Sequence, residues 1–87
     1  MAYRLLVRKS FLKASAKLPV RHDKKLKQLL SVLKINPFDK CLHAKDLTGK
    51  LRGTYSFGIT REYRATFRLA GDLIELIDVT YRRDIYR

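Results

Sequence analysis

Between Tyr63 and Leu69 the chain alternates strictly: Tyr63, Ala65, Phe67 and Leu69 fall on one side of an extended strand, and Arg64, Thr66 and Arg68 on the other. A period of two suits a half-buried strand and not a helix. A second run, Leu73 to Val79, follows the reversal signal Ala70-Gly71-Asp72, so the two runs read as an antiparallel hairpin. A third begins at Leu51, and Arg61-Glu62 marks the reversal that separates it from Tyr63. The carboxy-terminal half is therefore expected to be a three-strand antiparallel meander.

The amino-terminal half supplies what such a sheet must be covered with. Ala2 to Arg8 is apolar and aromatic and too short for a stable helix, so it reads as a first strand. Ser10 is placed to cap a short helix through Lys17, with Phe11, Ala14 and Leu18 on one side. Pro19 suits the first turn of a second helix. In that helix Leu26, Leu29, Leu30 and Leu33 form a buried stripe, and Lys24, Lys25, Lys27, Gln28 and Lys34 a wet face. Ile35-Asn36-Pro37 ends it, because a residue before proline is pushed out of the helical region. From Phe38 to Lys50 no period is sustained and Thr48-Gly49 announces a turn, so this loop is a candidate carrier of function.

The expected architecture is α+β: an N-terminal strand, a helix pair, then the three-strand antiparallel meander, forming one sheet packed against two helices. With 87 residues and no repeat or Gly/Ser-rich linker, a single domain over residues 1–87 is expected. A hydrophobic share of 46% excludes a disordered basic tail.

Charge narrows the partners, since 20 Lys+Arg against 8 Asp+Glu give a formal charge of +12. Such an excess costs self-repulsion and points to a polyanionic or acidic partner. Cys41, the single cysteine, has no second thiol for a disulfide or a metal site, which suits the cytoplasm. The apolar run Leu5-Leu6-Val7 is far below the roughly 20 residues of a spanning helix and too brief for a signal segment, so neither membrane insertion nor export is expected.

The sequence carries no Gly-rich phosphate loop, no Walker lysine and no Cys/His ligand spacing. His22 and His43 lie on different segments and read as solvated imidazoles. No metal or cofactor is expected. What remains, a set of cations and phenols, suits RNA cleavage: a ribose 2′-hydroxyl must lose its proton, the phosphorane charge must be neutralised and the 5′-oxygen protonated. A guanidinium serves the middle task, being permanently charged and shaped for bidentate phosphate contact. Arg64 and Arg82 can grip a phosphate from two strands, and Tyr81 and Tyr86 offer faces for an unstacked base. Tyr55, Tyr63 and Phe67 read as core, and Glu62 or Glu75 is an alternative partner for Arg64 across the sheet.

From Leu47 to Arg87 the order of these features resembles the RelE/ParE toxin superfamily of type II toxin-antitoxin systems. The resemblance rests on the leucine-glycine loop, the strand that follows it, Tyr63-Arg64-x-x-Phe67, the acidic hairpin turn at Asp72 and an arginine-rich end near Tyr86. It extends more weakly over the N-terminal strand and helix pair. The wording around Gly58-Ile59-Thr60 is similar to the YoeB-like branch.

That resemblance implies a toxin that cuts mRNA on the ribosome. It places Arg64 on the arginine that stabilises the phosphate, Arg82 on the candidate general acid, and Tyr86 on the residue that orients the base. Lys45 falls near the loop position that holds the general base in the YoeB and YafQ groups, and Glu62 is a second candidate for that task. Lys9, Lys13, Lys24, Lys25 and Lys27, with Arg61 and Arg83, would then make sequence-independent contacts with RNA. Ser56 and Gly58 depart from the pattern, standing where RelE carries two lysines. Alternatives are a ParE-like inhibitor of DNA gyrase without nuclease activity, or a catalytically weak toxin homologue. In every case the implied partner is an acidic antitoxin, with the toxin alone a monomer and the pair a hetero-oligomer.

Overall fold

The sheet gains a strand that the hydrophobic pattern does not announce. The computed structural model describes residues 2–47 and 53–81. Within them lie β1 (Arg4–Val7), α1 (Lys9–Ala16), α2 (Asp23–Ile35), β2 (Lys45–Asp46), β3 (Thr54–Gly58), β4 (Tyr63–Ala70) and β5 (Leu73–Tyr81). These strands form one five-stranded sheet in the order β1-β5-β4-β3-β2. The expected antiparallel meander is present as β3-β4-β5, while β2 extends it on one edge and β1 joins β5 in parallel on the other. The stretch from Phe38 is thus not a plain loop: it contains a 3-10 turn at Lys40–Leu42 and then β2.

Two helix starts differ from expectation, each for a local reason. Arg8, not Ser10, occupies the cap of α1 and makes no side-chain cap bond. The Ser10 hydroxyl donates instead to the Ile77 carbonyl, which ties the helix to β5. Pro19 stands outside α2, because its ψ of 137° is extended; a 3-10 turn at Val20–His22 separates the two. The far end of α2 is as expected, with Asn36 before Pro37 extended at φ −151° and ψ 104°.

Leu26, Leu29 and Leu33 of α2 and Phe11 of α1 are buried against Phe57, Ile59, Ala65, Phe67, Ile74 and Leu76. Leu30, at the edge of the stripe, is only half-buried. A register shift in β5 keeps that core face continuous: Phe67 pairs with Leu76 but Thr66 with Asp78, leaving Ile77 as the extra residue. Leu76 and Val79, three apart in sequence, therefore sit on one face, opposite Phe67 and Ala65. Tyr55 is half-buried and stacks on Phe67 at 5.6 Å.

On the other face Arg8 of the β1–α1 junction bridges Glu75 of β5 at 2.6 Å, with the Glu75 side chain only 16% exposed. Glu75 thus answers Arg8 rather than Arg64. Among the described residues no helix is long and apolar enough to cross a membrane.

Candidate functional site

Arg64 is held by hydrogen bonds near the β2 edge of the sheet. Its Nε donates to Ser56 Oγ at 3.0 Å, and its Nη2 donates to the carbonyls of His43 at 2.8 Å and Ser56 at 3.1 Å. The strand pairing explains the reach: Ser56 pairs with Thr66 and Gly58 with Arg64, so all four side-chain positions share the polar face. A Cβ at Gly58 would lie 3.3 Å from Arg64 Nη1, closer than most side chains approach. Glycine at this position thus leaves room for the guanidinium. Ser56 itself is buried, at 4% exposure.

His43 completes the seat through its backbone. It ends the Lys40–Leu42 turn in the left-handed region, at φ 49° and ψ 48°, and is the one non-glycine residue with positive φ among those described. A left-handed L-residue costs on the order of 1 kcal/mol, and here that conformation accompanies a carbonyl bonded to Arg64.

Around this arginine lies an open cleft of about 480 Å³. Lys25 of α2, Lys45 of β2, Arg61 of the β3–β4 turn and Arg64 of β4 line it, together with Cys41, His43 and the Gly58-Ile59-Thr60 wall. No carboxylate is among its described lining residues. Four cations from separate elements, with no acid among them, make a site for an anion. Asp39 stays outside this lining and accepts from the Cys41 amide at 3.0 Å. That bond holds the Asp39 carboxyl below the usual carboxylate range, and Asp39 in turn pushes the Cys41 thiol up, so the thiol stays protonated.

The other sequence candidates are spread more widely. Glu62 is exposed in the turn beside Arg61 and does not line the cleft. Lys24 and Lys27 are exposed on α2, Lys27 lying 3.8 Å from Asp23, and Lys9 is exposed on α1. Lys13 and Tyr81 line a separate depression between α1 and β5, where the Tyr81 ring meets Tyr63 edge-on at 5.3 Å. Arg82, Arg83 and Tyr86, and the Thr48-Gly49 turn, lie outside the described residues. His22, half-buried, lies 5.9 Å from the Tyr63 ring.

Three participants escaped the reading of the sequence: Ser56 and Gly58 as the seat of Arg64, and His43 in the cleft. The hairpin register could have revealed the first two, since strands turning at Arg61-Glu62 bring Gly58 opposite Arg64. Nothing local marks His43, because its place depends on where the Lys40–Leu42 turn docks.

No protein-family model and no curated protein sequence matches the chain. Solved structures do. A structure of the RelB–RelE antitoxin–toxin complex from Methanococcus jannaschii aligns over 93% of this chain and 94% of its own, at 23% identity and a TM-score of 0.78. The DinJ–YafQ toxin–antitoxin complex from E. coli aligns over 100% of both chains at 15% identity and a TM-score of 0.80. This is the RelE toxin fold. A YoeB/ParE toxin from Agrobacterium tumefaciens shares it over 91% of this chain and 98% of its own, at 23% identity and a TM-score of 0.75. In this chain the RelE-like fold carries Ser56, Gly58 and Arg64 interlocked on its polar face.

Proposed function

We propose that this chain is the toxin of a type II toxin-antitoxin pair and that it cuts mRNA on the ribosome, without a metal, by attack of a ribose 2′-hydroxyl on the adjacent phosphate. The observation that carries the reading is the Arg64 guanidinium, fixed by hydrogen bonds to Ser56 and His43 at the wall of a cleft lined by cations. A guanidinium held in advance stabilises developing phosphorane charge without reorganising, and one such donor is commonly worth about 10²–10³-fold in rate. Lys25, Lys45 and Arg61 add positive potential along the path of the RNA backbone.

Arg82 as general acid and Tyr86 as the base-stacking ring complete the proposed site from the carboxy-terminal segment. The exposed Lys9, Lys13, Lys24 and Lys27 favour rRNA contact, since sequence-independent binding needs only cations within reach of phosphates. An acidic antitoxin is the proposed protein partner, supported by the charge of +12 and by neighbours of the same fold solved as toxin–antitoxin complexes. Both partners would act in the cytoplasm, where the ribosome is.

Mapping 5′ ends on a defined mRNA, with and without translating ribosomes, tests the reading. New ends confined to the ribosome-containing reaction support it. Intact mRNA together with inhibited gyrase supercoiling would replace it with a gyrase inhibitor.

A further inference from the structure

Tyr63 and Arg64 are neighbours in β4, so their side chains leave opposite faces of the sheet, and each residue lines a different concavity. Arg64 belongs to the cationic cleft. Tyr63 belongs to a depression of about 500 Å³ between α1 and the end of β5, which shares none of its described lining residues with the cleft. Tyr63 pairs with Tyr81, and Arg64 with Thr80 and Gly58, so both concavities lie at the same end of the sheet.

The depression joins two kinds of surface. Its aromatic side spans adjacent strands: the Tyr81 and Tyr63 rings meet edge-on, with centroids 5.3 Å apart and planes at 68°. The His22 ring lies 5.9 Å from Tyr63 in turn. All three residues are half-buried, held by packing but not covered. An edge-on pair, unlike a stacked one, keeps ring faces out of its own contact. The cationic side is the end of α1, where Lys13 and Lys17 stand one helical turn apart and are both exposed. The Ser10 hydroxyl, bonded to the Ile77 carbonyl, anchors that helix to β5. Asp78 also lines the depression, its carboxyl accepting from the Val79 amide at 2.8 Å, and the two lysines leave the lining net positive.

Rings beside lysines suit a nucleotide, whose base lies on an aromatic face while ammonium groups meet its phosphate. The size agrees, since small-molecule sites occupy about 300–1,000 Å³. An acidic amphipathic helix is the other occupant that the charge admits, but helix docking uses a row of apolar anchors. Here the aliphatic lining is only Ala14, Leu18 and Val79, and Leu18 is already spent in the core.

We propose that this depression is a nucleotide-binding site separate from the cleft, taking one unstacked nucleotide with its base on Tyr81 and its phosphate on Lys13 and Lys17. The site does not depend on whether Arg64 cuts RNA. Tyr81 serves this second site and not the cleft.

Adenosine 5′-monophosphate, adenosine and inorganic phosphate, each titrated into the isotope-labelled chain and followed by amide NMR, test it. The monophosphate should shift the amides of Lys13, Lys17, Tyr63 and Tyr81. It should bind at least about fivefold more tightly than adenosine or phosphate, because it alone reaches both surfaces. Tyr81→Leu should weaken it about tenfold, and Tyr81→Phe, which keeps the ring, should stay within about twofold of wild type. Lys13→Gln with Lys17→Gln should weaken the monophosphate but not adenosine, and this exposed pair decides the matter if Tyr81→Leu fails to fold. A single-stranded RNA tetranucleotide separates the sources: Tyr81-dependent binding assigns the site to RNA, and monophosphate binding without it assigns the site to free nucleotides. Shifts confined to Gly58 and Arg64, equal affinities for the monophosphate and phosphate, or a folded Tyr81→Leu protein that binds normally overturns the proposal. So does a glutamate-rich peptide that shifts these amides where the monophosphate does not. Uncut mRNA on ribosomes sinks the nuclease reading and leaves this site standing.

Discussion

Gly58 and Arg64 face one another across the β3–β4 hairpin, and a Cβ on Gly58 would stand 3.3 Å from Arg64 Nη1. The guanidinium cannot simply swing away, since Ser56 and His43 hold its other nitrogens. Gly58→Ala should therefore leave stability within about 1 kcal/mol, because Gly58 has no positive φ and alanine lowers unfolded-chain entropy. Cleavage should drop several-fold, and Gly58→Val, with two more methyls against Nη1, should drop it further. Urea melts beside cleavage rates on the same preparations check the split.

Ser56 offers both its hydroxyl and its carbonyl to Arg64. Ser56→Ala removes the hydroxyl from a buried position and leaves Nε facing a methyl, at a cost of about 1–2 kcal/mol. Activity should fall with it. Ser56→Thr restores the hydroxyl and should recover more activity than stability, since the extra methyl must fit a closed site.

Arg8 and Glu75 tie the β1–α1 junction to β5 away from the cleft. Arg8→Ala leaves a mostly buried carboxylate without its cation and should destabilise the fold by about 1–2 kcal/mol, between exposed and buried pairs. Glu75→Gln, which removes the charge as well, should cost less. Neither substitution should alter the pH profile of cleavage once the protein is folded, which a comparison of thermal melts with single-turnover rates would show.

Asp39 stabilises the Lys40–Leu42 turn through the Cys41 amide, and its carboxyl is depressed below the usual range. A depressed carboxylate contributes stability that is fully present above its unfolded pKa and lost as pH falls through the folded value. Asp39→Ala should flatten that acid limb of the stability curve below about pH 4. The same substitution relieves the Cys41 thiol, so alkylation by iodoacetamide near neutral pH should become faster.

How much of this was legible in the sequence follows the range of the interactions. Leu26, Leu29 and Leu33 announced the buried face of α2, and Ala65 and Phe67 the core face of β4, because burial repeats at short period. β2 has only Lys45 and Asp46, too few for any period, and it exists because β3 offers it an edge. The parallel seat of β1 depends on a strand some seventy residues away. Arg64 was visible as a polar residue in a regular alternation, but Glu75, one of its expected partners, proved to belong to Arg8. Ser56 and Gly58, which stood out as missing lysines, are instead the room and the acceptor that Arg64 requires. A small residue's function is to leave space, and space is visible only when its neighbour is placed.

Cleavage by Arg64→Ala and Arg64→Lys proteins on mRNA-programmed ribosomes tests the central claim most directly. Alanine removes the charge and the donors, while lysine keeps the charge but cannot make the planar fork held by Ser56 and His43. Both proteins should stay folded, with cleavage at least about 10²-fold below wild type for alanine and intermediate or lower for lysine. A folded Arg64→Ala protein that cuts at the wild-type rate would contradict the account.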